Sequence, residues 1–348
     1  MDDKDLLPMN WSHLALACTQ EVDGTVITVS ALFGLIFLLG VCGNTLVLAV
    51  LLQQKPQRPY RSTTNTFILN LSLADLLFLF LCVPFQATIY SLPSWIFGAF
   101  LCKCVHYLFT VCMLVSIFTL VTMSVERYIA VVLSHRSVLL RTPRNARVAV
   151  LVTWLLSMVT AAPLACYQNL VSGKPYGQPN CSFCWEIWPL WEPSPRRAYK
   201  TCVFILGYLL PLMIICCCYT CVLSHLYRKV RNTSRKSERT RRKTTQTVLT
   251  VVSVFCLSWL PHHIISLWVE FGSFPITPAS FFMRIGSHCL VYGNSCMNPI
   301  IYAFLSENFR CAFFDLFTCV KRPPDRKLSN PPLAPHQDNS AHTTTSPC

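Results

Sequence analysis

Charge is scarce in this chain. Asp, Glu, Lys and Arg make up 13% of its 348 residues, about half the quarter usual in a soluble domain. With 53% hydrophobic residues and a mean hydropathy of +0.45, too little polar surface remains to cover a water-soluble enzyme. Acidic residues are the scarcer sign, 15 against 29 basic, for a net charge of +14. No HExxH metal motif and no nucleophile–base pair is visible, which counts against an intramembrane enzyme. No internal repeat and no matched pair of Gly/Pro-broken apolar segments is visible either, which weakens a transporter reading. The first 25 residues are acidic (Asp2, Asp3, Asp5, Glu21, Asp23) and lack a basic segment followed by an apolar one. A cleaved signal peptide is therefore not expected, and the first span is expected to act as an uncleaved anchor. The twenty cysteines fall largely inside apolar runs, where a thiol serves as a small hydrophobe rather than one disulfide framework.

What the chain has is apolar length. Stretches at 26–52, 65–91, 100–133, 148–170, 201–223, 247–269 and 285–306 are each long enough to cross about 30 Å of hydrocarbon as a helix. No period of two runs through them, so strands are a poor reading. The predicted fold is an all-α membrane protein, a bundle of seven transmembrane helices over 26–305. It is preceded by an extracellular segment at 1–25 and followed by a short amphipathic eighth helix at 306–320. Residues 321–348, rich in Pro, Ser, Thr, Asn and His, are predicted to be a disordered cytoplasmic tail. Basic residues crowd the first, third and fifth linkers, most densely from Arg228 to Lys243, whereas the alternate linkers hold Lys174, Arg196 and Arg197. The positive-inside rule puts the N-terminus outside and the C-terminus in the cytoplasm. The basic run has no interleaved stacking aromatics, so nucleic acid is not the expected partner.

Polar residues inside the spans carry the chemistry. Asp75 is the only charge of span 2, and a carboxylate at the centre of a span costs about 2.5–3.5 kcal/mol. It must face the interior and find partners or stay protonated. Asn44, Ser116, Asn294, Ser295 and Asn298 lie at similar depth. With Asp75 they suit either an oxygen-lined site for a sodium ion or plain interhelical hydrogen bonding. Glu126-Arg127-Tyr128 closes span 3 at its cytoplasmic end. One reading is interfacial anchoring; the sharper one is a latch in which Arg127 leaves Glu126 for Tyr219 of span 5 or Tyr302 of span 7. Pro261, just after Trp259 in span 6, bends its helix and gives that latch a lever.

GN (43–44), LSLAD (71–75), ERY (126–128), Trp154, Pro211, CLSWLP (256–261) and NPIIY (298–302) stand in order, each in its own span. In this the chain resembles the rhodopsin-like G-protein-coupled receptors. FQATIYSLPSWIFGAFLCK, SWLPHHIISLWVEFG, FPITPASF and NPIIYAFLSENFR resemble the galanin receptors more closely, most nearly the type 1 subtype, from about 30 to 319. Glu126 replaces the more usual Asp there, and Ser266 stands where that subtype typically has a histidine. The resemblance implies a disulfide between Cys102 and Cys184, although Cys104 and Cys181 leave other pairings open on sequence alone. It also implies a peptide pocket at the outer ends of the spans. Phe109, His262, His263, Glu270, Phe274, Phe281 and Arg284 are its candidate ligand-binding residues, the aromatics offering flat apolar contact and the charges fixing polar groups. Adjacent His262 and His263 point in different directions on a helix, which argues against a metal site.

The implied function is that of a plasma-membrane receptor binding a galanin-like peptide outside and activating a heterotrimeric G protein inside, of the inhibitory class. Receptor kinases and arrestin are candidate further partners through the serines and threonines of the tail. Cys319 is a candidate palmitoylation site, contacting membrane lipid. Of four Asn-x-Ser/Thr sequons, Asn70 falls in the membrane and Asn232 inside, leaving Asn10 and Asn180 for glycosylation. No cofactor is expected beyond the candidate sodium ion. Span 7 has no lysine for a Schiff base, which excludes a retinal sensor. A transporter or channel is the competing class, and substrate flux or current without G protein would distinguish it.

Overall fold

Span 3 is the most deeply packed of the membrane-length helices. In the computed structural model 67% of its most apolar window is buried, against 22% in span 4. The structure describes residues 24–53, 59–173, 181–190, 194–229, 235–275 and 277–305. Span 1 is the helix Gly24–Gln53, span 2 Pro59–Ser91, span 3 Gly98–Val131 and span 4 Pro143–Tyr167. Span 5 runs through Pro195–Phe204, a five-residue π segment Ile205–Leu209 and Leu210–Lys229. Span 6 is Arg235–Phe271 and span 7 Pro278–Leu305. Six of these helices are long and apolar enough to cross a membrane by length and composition. Span 7 has the length, 28 residues, but Arg284, His288, Asn294 and Asn298 dilute its apolarity.

Each helix begins before the apolar stretch that predicts it. Span 6 begins twelve residues early, at Arg235 instead of 247, because Lys, Arg, Glu and Gln are good helix formers and a helix need not stop at the hydrocarbon edge. Many large apolar side chains face outward, among them Leu38, Leu155, Leu257 and Phe304. Such a surface suits lipid tails as its solvent.

The all-helical reading holds for the bundle and misses one element. Between spans 4 and 5, β1 (Gln168–Gly173) and β2 (Cys181–Glu186) form an antiparallel hairpin in which Leu170 faces Cys184. The hairpin is tied to the top of span 3 by the Cys102–Cys184 disulfide. It is tied to the turn before span 3 by the Trp95 amide, which donates to the Ser182 carbonyl at 2.7 Å.

Polar side chains join the helices where apolar packing alone would not fix them. Asn70 of span 2 donates to Thr119 of span 3 at 2.8 Å and accepts from the Trp154 indole of span 4 at 2.9 Å. Asn44 of span 1 donates to the Gly40 carbonyl in its own helix and to the Ser295 carbonyl in span 7, both at 2.9 Å. That second bond needs a close approach. A methyl group added at Gly43 would stand 3.0 Å from Pro299, so glycine there lets spans 1 and 7 touch. The segments expected to form the N-terminal region (to residue 23), the eighth helix and the tail lie outside the described residues, with Asn10, Asn180 and Cys319.

Candidate functional site

At the disulfide end the helices diverge around a cavity of about 840 Å³, within the size range of ligand pockets. Phe109, His262, His263, Phe281 and Arg284, residues to which the resemblance pointed, line it, and so does Ser266. Phe109 forms the centre of its floor. Its ring centroid lies 5.3 Å from that of His262 and 5.7 Å from that of Trp259, and it also meets Phe78, His288 and Tyr292. Trp259 is 2% exposed, its indole nitrogen without a hydrogen-bond partner, and Pro261 sits two residues on within the same helix. Trp259 thus joins the ring cluster at Phe109 to span 6, two residues before the proline of that helix.

Two expected lining residues lie elsewhere. Glu270 is turned to the start of span 5, where its carboxylate meets Arg196 at 3.3 Å and Arg197 at 4.0 Å. Phe274 sits beyond the end of span 6, under the Arg284 guanidinium at 4.8 Å and edge-on to Trp268. In both cases a nearby cation competes successfully for the side chain. Arg196 also reaches Glu186 at 3.5 Å, and Lys200 binds Glu186 at 2.6 Å. Burial pushes the Glu186 carboxyl up, but Lys200, the Trp188 indole and Arg196 together outweigh it and hold the group below its ordinary value. A chain of charges therefore ties the hairpin to spans 5 and 6 beside the cavity.

Several lining residues had a readable signal. His288 follows Phe281 and Arg284 at the i, i+3, i+7 spacing of one helix face, and His106 precedes Phe109 by three. The structure adds Gln86 and Tyr90 of span 2, and the Tyr90 hydroxyl lies 2.6 Å from Nδ1 of His288. Glu186 and Lys200 had no such signal, since their meeting depends on the path of the hairpin.

Deeper in the bundle, Asp75 is 2% exposed and accepts hydrogen bonds from Ser295 and Asn298, each at 2.8 Å. Asn44 reaches the same turn of span 7 through the Ser295 carbonyl. Ser116 and Asn294 are buried at similar depth, but no hydrogen bond joins either to Asp75. Oδ1 of Asn44 and Oδ1 of Asn294 are buried acceptors without a hydrogen-bond partner. A carboxylate with two unsatisfied carbonyl oxygens nearby in depth fits the donor set of a small hard cation. Among the described residues no group of three His, Cys, Asp or Glu side chains suits a metal.

At the far end of span 3, Glu126 holds Arg127 through Oε2 at 2.7 Å. Arg127 also donates to Thr64, and its Nε has no partner. Tyr128 takes no part in this cluster. Tyr219 and Tyr302 are buried, and Arg127 hydrogen-bonds to neither. The sequence does not point to Arg141, which grips Glu126 from the loop after span 3, nor to Thr63 and Thr64.

The Cys102–Cys184 bond joins the pair that resemblance implied, with a Cα–Cα distance of 5.6 Å. Cys181 is itself disulfide-bonded, so it does not compete for Cys102. Cys104, Cys216, Cys217 and Cys218 are free.

A family model for the 7 transmembrane receptor (rhodopsin family) matches residues 43–302. The galanin receptor type 1 of Homo sapiens is 59% identical over 287 residues, covering 82% of this chain and 80% of that protein. The galanin receptor type 3 of Homo sapiens is 45% identical over 303 residues, 85% and 80% of the two chains. Galanin receptor 2b of Danio rerio is 42% identical over 322 residues, 92% and 82% of the two.

Proposed function

The chain belongs to the rhodopsin family of seven-transmembrane receptors, and from that premise we propose that it is a plasma-membrane receptor for a galanin-like peptide. It is a signalling receptor and not an enzyme. In this proposal the peptide enters the cavity beside the disulfide. At the Arg127 end the receptor activates a heterotrimeric G protein of the inhibitory class, which lowers cyclic AMP. The observation that carries the reading is the cavity floor, where Phe109 touches both the lining histidine His262 and Trp259. An aromatic ligand group pressed on that floor has a direct mechanical path into the proline-bearing span 6. Support for the peptide comes from relatives that are themselves galanin receptors.

The proposed orientation puts the disulfide end outside, where the compartment is oxidising, and the basic linkers inside. Glycans on Asn10 and Asn180, palmitate on Cys319, and binding of receptor kinases and arrestin belong to the same proposal. Competition of unlabelled galanin against a labelled galanin peptide, on this chain in lipid nanodiscs, tests the ligand assignment. Saturable, displaceable binding is expected, and its absence would remove galanin as the ligand.

The proposal includes a sodium ion held by Asp75 with Asn44, Ser116, Asn294, Ser295 and Asn298. Such an ion supplies a compact positive charge to a buried carboxylate that no cationic side chain among the described residues pairs with. The chain's part is to offer oxygen atoms from four helices and so to hold spans 1, 2, 3 and 7 in one arrangement. A cation that favours one arrangement must weaken a ligand that favours another, by reciprocity of linked equilibria. Agonist affinity in the parent protein is expected to fall as sodium replaces a bulky organic cation at constant ionic strength. Asp75→Asn is expected to flatten that dependence; an equal sodium response in both proteins would take Asp75 out of the site.

A further inference from the structure

Glu126 has more partners than a two-residue latch needs, and they divide between its oxygens. Oε2 receives Arg127 at 2.7 Å and Thr64 at 3.2 Å. Oε1 receives Arg141 twice, from Nη2 at 2.7 Å and Nε at 3.1 Å, together with Thr63 at 2.7 Å and Thr64 at 3.1 Å. The three charged side chains are shielded from solvent, 6% exposed for Glu126, 12% for Arg127 and 13% for Arg141.

Arg141 is held in place by its own backbone. It ends the short helix Ser137–Leu140, its amide donating to the Ser137 carbonyl at 3.0 Å. The next residue, Thr142, caps span 4 by accepting from the Asn145 amide, while the Asn145 side chain donates back to the Leu140 carbonyl at 2.9 Å. Arg141 is therefore a fixed post between two helix ends, and its side chain is not the one that must travel. Arg127 is the opposite, with one ion pair, one hydroxyl contact and an unpartnered Nε.

From this division we infer that Arg141 is a positioning residue for activation: it keeps Glu126 compensated after Arg127 departs. The inference rests on the latch reading of Arg127. When Arg127 leaves, Oε1 keeps Arg141 and Thr63, and Oε2 keeps Thr64. No buried carboxylate is stranded, and the activated arrangement avoids the large penalty of an unpaired interior charge. Without Arg141, Arg127 would be the sole cation on Glu126 among the described residues, and its departure would leave that charge facing hydroxyls. The two ends of one salt bridge thus act in opposite directions. Losing Glu126 frees Arg127, whereas losing Arg141 fastens it.

Nucleotide exchange on an inhibitory-class G protein, measured with and without galanin at matched surface density, tests this. Glu126→Gln is expected to raise ligand-free exchange. Arg141→Ala is expected to leave ligand-free exchange at or below the parent level and to cut the stimulated rate by at least about threefold, given the cost of an uncompensated carboxylate. Arg141→Lys, which keeps one charge on Oε1, is expected to recover most of the loss. In the double variant Glu126→Gln with Arg141→Ala there is no carboxylate to compensate, so Arg141→Ala is expected to have no further effect there. Equal losses from Arg141→Ala in both backgrounds would show direct contact with the G protein and overturn the inference. A rise in ligand-free exchange in Arg141→Ala would overturn it too, by making Arg141 part of the resting lock. If Arg141→Ala fails to reach the surface, Arg141→Gln gives the same comparison with the side-chain volume largely kept. Arg127→Ala separates the two readings. Retained stimulation there would sink the latch itself; lost stimulation upholds the latch, and the Arg141 variants then decide the role of Arg141.

Discussion

Arg127→Ala is expected to reduce galanin-stimulated nucleotide exchange to the ligand-free level while antagonist binding stays within about twofold of the parent, since its site lies far from the pocket. Arg127 and Phe109 are eighteen residues apart on one helix, roughly 27 Å at 1.5 Å per residue. None of the Arg127 side-chain hydrogen bonds reaches the cavity; they go to Glu126 and Thr64. The substitution should also be tolerated by the fold. Glu126 keeps Arg141, Thr63 and Thr64, so no unpaired charge is buried. Exchange assayed beside antagonist saturation at equal surface density separates the two properties. Undiminished exchange would eliminate Arg127 from the switch, and lost antagonist binding would mean that the substitution had damaged the bundle instead.

Phe109→Ala is expected to do damage of the other kind, to recognition and response together. Truncating a buried aromatic anchor at a binding hot spot costs about 2 kcal/mol or more, near thirtyfold in affinity. The peptide concentration–response curve should move rightward by at least about tenfold, allowing for part of the anchor being shared with other rings. Its maximum should fall as well, because the void opens against Trp259 and His262 and breaks the path from ligand to span 6. Phe281→Ala makes the contrast. That ring stands on the wall, edge-on to Tyr90, so potency should drop while the maximum is kept. A full maximum and unshifted potency in Phe109→Ala would place the ligand away from this floor.

Much of this arrangement is legible in the sequence. A lone carboxylate in an apolar helix must find donors, and Asp75 finds Ser295 and Asn298. Seven apolar stretches and a one-sided distribution of basic linkers give the bundle and its expected topology. What escapes reading depends on chain paths through loops. Glu270, on the same helix as Ser266 and His263, is assigned to the pocket by the family resemblance alone. The two arginines that turn it away belong to a different helix, whose approach no spacing reveals. Arg141 lies fifteen residues from Glu126, across a loop whose short helix carries no apolar period long enough to read. The β-hairpin is similar: its strands pair across an intervening loop, and their short sequences alternate too weakly to predict it.

In the proposed function the cavity around Phe109 receives a galanin-like peptide and drives G-protein activation at the other end of the bundle. The most direct measurement of that coupling is galanin-stimulated activation of a panel of heterotrimeric G proteins, in parent and Phe109→Ala cells of equal surface density. The parent should activate the inhibitory class in a saturable, concentration-dependent way, and Phe109→Ala should require at least about tenfold more peptide for a smaller response. No activation of any G protein by galanin in the parent, or an identical response from Phe109→Ala, would contradict it.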